Sequence, residues 1–252
     1  MIKNLLSWVI LLVVLAGCKD AAELDPAMMG YQYYPLEVGN YRIYYVTKVK
    51  TQFDKQDTTR YFMREVVKSS FEDQTGEVNY RIERSSRPDT RSQWIADSVF
   101  VVSKSLTNVM LLANNARYVK LIFPVKTGKT WIADAYNENG DFGSEDSGLE
   151  KEPYTYAAVG EAFTFDDPDL IYNNTALQFD TTATIVQGIP HYERDEPILT
   201  HLDDRKEVYA VGVGLIYRKY LKAMLCVQEP NCSSYIRDGN ERHEVLIDYG
   251  KL

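Results

Sequence analysis

Residues 136–153, YNENGDFGSEDSGLEKEP, hold six acids against one lysine, and Asn137, Asn139 and Asp141 stand at the first, third and fifth places of a calcium-loop pattern. The pattern then fails: Gly143 comes one place late and Gly148 stands where the twelfth-position glutamate belongs. A solvated loop is the expectation. His191, His201 and His243 are scattered, and only HLDD at 201–204 sets acids beside one of them. Zinc sites use ligand spacings such as HExxH or paired CxxC, which are missing, so these histidines are expected in exposed polar loops. For acyl transfer the chain has no GxSxG and no SxxK. Gly212 and Gly214 in VGVG lack the third glycine, following helix and distal acid of a dinucleotide site. They predict a bend or bulge at a sheet corner within one strand over 207–225. No catalytic residue, metal ligand or cofactor is predicted.

The cysteines are more informative. Lys3 precedes an apolar run from Leu5 to Ala16 that ends Leu15, Ala16, Gly17, Cys18. The run falls short of the roughly 20 apolar residues a spanning helix needs, and its charged start and small-residue end describe a secretory signal. The ending LAGC resembles the bacterial lipobox, which implies cleavage before Cys18 and lipidation of its thiol. Cys226 and Cys232 bracket VQEPN, a loop with good turn formers, and are predicted to pair in an oxidising compartment. That leaves Cys18 as the odd cysteine of an exported chain, which lipidation explains. The expected organisation is a signal peptide (1–17), a tether (18–30) and one domain (31–252), held on a membrane by acyl chains on Cys18.

Without residues 1–17, 235 residues remain and the net charge moves from −8 to −9. With 36 acidic against 28 basic residues and no basic cluster, nucleic acid is excluded as a partner. Nineteen tyrosines against nine phenylalanines suit half-wet sheet surfaces, and equally the stacking of sugars.

What must position any site is a sheet. From Tyr41 the odd positions read Tyr, Ile, Tyr, Thr, Val, Thr and Phe, while the even ones include Arg42, Lys48, Lys50 and Gln52. That alternation predicts a half-buried strand with its odd face inward. Similar runs fall at 60–68, 78–82, 92–103, 106–112, 117–123, 130–135, 154–165, 177–185 and 244–249. Helical periodicity is confined to a short candidate at 197–205. Strands separated by Gly, Pro, Asn and Asp clusters imply a mainly β fold, a single antiparallel sheet that curls into a half-barrel or barrel.

Two stretches share a grammar. In YYPLEVGN and IFPVKTGK, Pro35 and Gly39, and Pro124 and Gly128, are four apart. Proline suits a strand entrance and glycine a tight turn, so each stretch should close a sheet end and launch a long strand, with Leu36 or Val125 plugging the core. With EVYAVGVGLIYRKY at 207–220 and LIDYG at 246–250, the chain resembles a group of exported lipoproteins common in Bacteroidetes-type bacteria. The resemblance implies a barrel-like β domain outside the cytoplasm, in the cell envelope at the outer membrane or cell surface, and transfers no site residue. The expected function is non-enzymatic binding of a lipid or apolar ligand, or of an envelope protein partner. A glycan-binding or glycan-processing accessory role is the alternative, and a purely structural envelope role a third. DTT at 57 and 180 and DSV at 97 also match a short O-glycosylation pattern at Thr58, Thr181 and Ser98.

Overall fold

The computed structural model describes residues 26–53, 55–137, 152–165, 167–174, 177–188, 191–193, 199–226 and 235–252. Cys18, Cys232 and most of the acidic loop lie outside them. A helical turn (α1, Pro26–Met29) leads into β1 (Asn40–Gln52), β2 (Lys55–Glu72), β3 (Val78–Arg87), β4 (Ile95–Lys104), β5 (Asn108–Ala113) and β6 (Ala116–Ile122). The second half runs through β7 (Thr130–Ile132), β8 (Pro153–Phe163), β9 (Phe179–Gln187), β10 (His191–Glu193), β11 (Leu199–Ala210), β12 (Gly214–Cys226) and β13 (Tyr235–Lys251). Among the described residues no helix is long and apolar enough to cross a membrane.

The strands form one antiparallel sheet in the order β6-β5-β4-β3-β2-β1-β13-β12-β11-β9-β8-β7, with β10 pairing β11 to the side. Two meanders thus join where the first and last strands pair, Asn40 opposite Lys251 through Gln52 opposite Asp238. Their free edges, β6 and β7, meet and nearly close a barrel. At this seam the Val119 N–H donates to the Ala133 carbonyl (2.7 Å) and Trp131 Nε1 donates to the Val119 carbonyl (2.8 Å). Asn137 clamps the backbone of Arg117, accepting from its N–H (2.7 Å) and donating to its carbonyl (2.9 Å). The Tyr156 hydroxyl does the same for Ile122, at 3.1 and 2.9 Å. Closure removes the unpaired edges that an open sheet would expose.

The two Pro–Gly segments work at one end of this barrel. Residues 123–129 carry the chain from β6 to β7, with a cis Phe123–Pro124 bond, Gly128 at φ 81 and the Lys129 ammonium on the Phe123 carbonyl (2.9 Å). Gly39, at φ 96, donates its N–H to the Val67 carbonyl within β2 and accepts from the Leu252 N–H. Residues 29–36 cross the opening as a plug. The Met29 carbonyl accepts from Val125, Gln32 from Gly212, and the carbonyls of Tyr31 and Tyr34 both accept from the Lys104 ammonium. Behind the plug, Tyr33, Val102, Val109, Leu121, Phe123 and Ile185 belong to one apolar core, with Val125 in it and Leu36 packed against it. Only β1 is long; β7, launched by the second segment, has three residues.

Three local expectations are corrected. Residues 199–205, expected as helix, are β11, because β12 pairs them along their length and β10 pairs Thr200–Leu202 on the other flank. The run 207–225 is two strands joined by a turn at Val211–Val213, with Gly212 at φ 74 and Gly214 at φ 93. The buried face of β1 is the even one at its start: Arg42, Tyr44 and Val46 point inward. Tyr45 is left outside, where it packs with Phe62 and Tyr172 at ring separations of 5.5 and 5.2 Å under the chain that leads from β8 to β9.

Candidate functional site

The inward even face matters because it carries charge. Arg42 on β1 lies opposite Glu65 on β2, and Glu65 opposite Arg84 on β3. Glu207 on β11 lies opposite Arg218 on β12, and Arg218 opposite Glu244 on β13. Direct cross-strand neighbours stand close enough for opposite charges to pair. Arg84 reaches Glu65 at 2.6 Å, and Arg218 reaches Glu207 at 2.8 Å and Glu244 at 2.7 Å. From the far wall Lys120 on β6 meets Glu207 at 2.7 Å. Gly214 makes room for the ribbon, since a Cβ there would run into the Arg42 guanidinium.

All of these side chains except Glu244 line a cavity of about 480 Å³ inside the barrel. Its closed end is the plug, where Tyr34 and Leu215 form the floor. Its mouth lies at the other end, at the β5–β6 turn (Asn114), the start of β8 (Glu152) and the outer part of β12 (Tyr220, Lys222), where Tyr220 and Asn114 are exposed. Arg205 is fixed beside the mouth by Asp203 at 2.6 Å and Glu152 at 3.1 Å. The volume falls in the range of small-molecule sites. The walls, however, are charged and aromatic and do not match the apolar lining expected of a lipid carrier.

Burial by itself would raise the Glu207 carboxyl, but Lys120 and Arg218, with hydrogen bonds from Lys120 and the Tyr209 hydroxyl (2.6 Å), hold it well below the usual carboxylate range. Glu65 is lowered likewise, its burial outweighed by Arg84 and Arg42. Desolvation lowers Lys120, against the pull of Glu207. The Tyr34 hydroxyl is pushed up to about 12, chiefly by burial. At neutral pH the carboxylates are therefore charged, as are the arginines.

Three residues lining this cavity carry a side-chain polar group with no hydrogen-bond partner among the described residues. The Gln187 amide nitrogen is buried and unbonded. Tyr34 and Tyr154 are 7% and 4% exposed, and neither hydroxyl bonds a described residue. Buried polar groups are as a rule satisfied.

The residues singled out by sequence are dispersed. Asn137, the first calcium-loop position, serves the seam. His191 and His201 are on β10 and β11 rather than loops. His243 lies on β13, buried, and bonds the Tyr217 hydroxyl at 2.8 Å and Glu241 at 2.7 Å on the outer face, where Phe163 and Phe165 cover Tyr217. Asp203 and Asp204 are ion-paired to Arg205 and Lys219. Cys226 ends β12, buried, and its predicted partner lies outside the described residues. Thr58, Thr181 and Ser98 are all exposed, and Ser98 lines the cavity with its hydroxyl on Asp97 (2.7 Å). Among the described residues no three His, Cys, Asp or Glu side chains are grouped to hold a metal ion. None of the cavity's charged residues was predicted. On β1 the signal was Arg42, inward between outward Tyr41 and Ile43; on β3 the outward positions are themselves polar, and no local contrast marked Arg84.

No family model and no curated protein matches the chain. Two solved structures are similar in outline. One is a candidate exported protein with a YmcC-like fold from Bacteroides fragilis, at 11% identity and TM-score 0.36. The other is a candidate lipoprotein from Parabacteroides distasonis, at 10% identity and TM-score 0.35. Each comparison covers 86% of this chain and 98% of the other. At TM-scores this low neither neighbour bears on function.

Proposed function

We propose that this is a cell-envelope lipoprotein, tethered through Cys18, whose barrel binds a small, polar, hydroxyl-bearing molecule in its internal cavity. The observation that carries the reading is a cavity of about 480 Å³ lined by Tyr34 and Tyr154, whose hydroxyls bond no described residue, and by Gln187, whose buried amide nitrogen has no partner among the described residues. A ligand rich in hydrogen-bonding oxygens would satisfy them, and the tyrosine rings would cover its apolar faces. This moves the earlier alternative, a glycan-type ligand, ahead of a lipid. An acyl chain would desolvate the Arg and Glu ribbon and return no hydrogen bond. No residue is assigned a catalytic role, and the envelope location and anchor rest on the lipobox-like start. Native mass spectrometry of the protein purified from its own membrane tests the reading. Retention of a polar small molecule supports it, and a co-purifying acyl lipid in the barrel, or a cavity into which no polar molecule binds, overturns it.

A further inference from the structure

The charges around the cavity do not balance. Arg42, Arg84, Lys120, Arg205, Arg218 and Lys222 line it, against Glu65, Glu152 and Glu207. Two further carboxylates reach these cations from behind: Asp203, which binds Arg205 and approaches Lys222 at 3.5 Å, and Glu244, which binds Arg218. Counting both leaves six cations against five carboxylates, and Arg242, bound to Glu244 at 2.8 Å, makes seven against five. Most of these groups are buried or half-buried. In such surroundings an uncompensated positive charge is expensive, and proteins pair or complete it. The unpartnered amide nitrogen of Gln187 adds a donor, and the Tyr34 and Tyr154 hydroxyls can donate as well.

Resting on the cavity reading above, we infer that the ligand is anionic: a hydroxylated scaffold carrying a carboxylate or a phosphate ester, with its acidic group among the cations that outnumber their protein partners. Guanidinium groups suit either anion, because their paired N–H donors match two oxygens at once. Lys222 is placed to set this preference. It sits at the mouth with its side chain 45% exposed and holds its own partners loosely, Glu152 at 4.0 Å and Asp203 at 3.5 Å, so its ammonium can turn to an arriving anion.

Calorimetric titration of the folded domain with three matched probes tests the inference: a neutral disaccharide, its uronic acid counterpart and its phosphorylated counterpart. An acidic probe should bind at least about tenfold tighter than the neutral one, and the advantage should shrink as salt is raised. Which acidic probe wins identifies the source of the anion. Lys222→Glu should bring the ratio of neutral to acidic Kd toward one, a readout that general destabilisation does not move because both probes share the fold. Neutral binding as tight as acidic overturns the anionic assignment and leaves the cavity reading standing. Failure of all three to bind at millimolar concentration overturns both.

Discussion

Glu207→Gln is the sharpest test of how the barrel's interior is held. Glu207 is 1% exposed and accepts from Lys120 at 2.7 Å, Arg218 at 2.8 Å and Tyr209 at 2.6 Å. An amide keeps the shape and removes the charge. Arg218 would retain Glu244, but Lys120 makes no other ion pair among the described residues. Orphaning a buried ammonium costs about 3–5 kcal/mol, a large share of the roughly 5–15 kcal/mol that stabilises a typical domain. Urea unfolding at neutral pH should therefore show a loss of that size. The pH dependence adds a second readout. Because the folded-state pKa of Glu207 is depressed, its contribution is fully present above the unfolded carboxylate value of about 4.3 and is lost as pH falls below it. The wild type should weaken over that acid range, and the variant should weaken less. Lys120→Met in the same chain should recover part of the loss, since it removes the buried ammonium that the first substitution leaves without a counter-charge. A loss under about 1 kcal/mol, the scale of a surface pair, or identical acid limbs, would refute the view that this ribbon is a coupled buried network.

Gly214→Ala should lower stability by about 1–3 kcal/mol, read by thermal melting, because φ 93 strains any Cβ and this one meets Arg42. Tyr156→Phe removes both bonds to Ile122 at the seam and should cost about 1–3 kcal/mol, with faster amide exchange localised to β6 and β7. Unchanged exchange there would mean the seam is held elsewhere. Cys18→Ala should move the protein from the membrane to the soluble fraction on cell fractionation. Cys226 and Cys232 should resist alkylation until a reductant is added; labelling of both without one would remove the predicted pairing.

Alternation in the sequence was enough to read the antiparallel sheet and its curl, because side chains on successive strand residues must point to opposite sides. Which side was interior was not legible in β1. Tyr41, Ile43 and Tyr45 outrank Arg42 in hydrophobicity, yet the interior takes Arg42 because Glu65 awaits it on β2, and the outer face is itself covered through Tyr172. A partner 23 residues away that neutralises a charge leaves no local periodic trace. The seam was equally silent: Trp131 and Asn137 act on Val119 and Arg117 through contacts that only closure creates. The helix expected at 197–205 failed because, from Leu199 on, a weak local pattern gave way to pairing on both flanks, by β10 and β12.

The plug has a mechanical implication for an anchored protein. Only seven residues separate Cys18 from Pro26, a leash of at most about 30 Å fully stretched, and Pro26 lies at the sealed end of the barrel. Acyl chains at Cys18 would thus hold that end toward the bilayer and leave the opening turned to the aqueous side. The plug that follows the leash supplies Tyr34, so tension on the leash would be passed to the floor of the internal cavity.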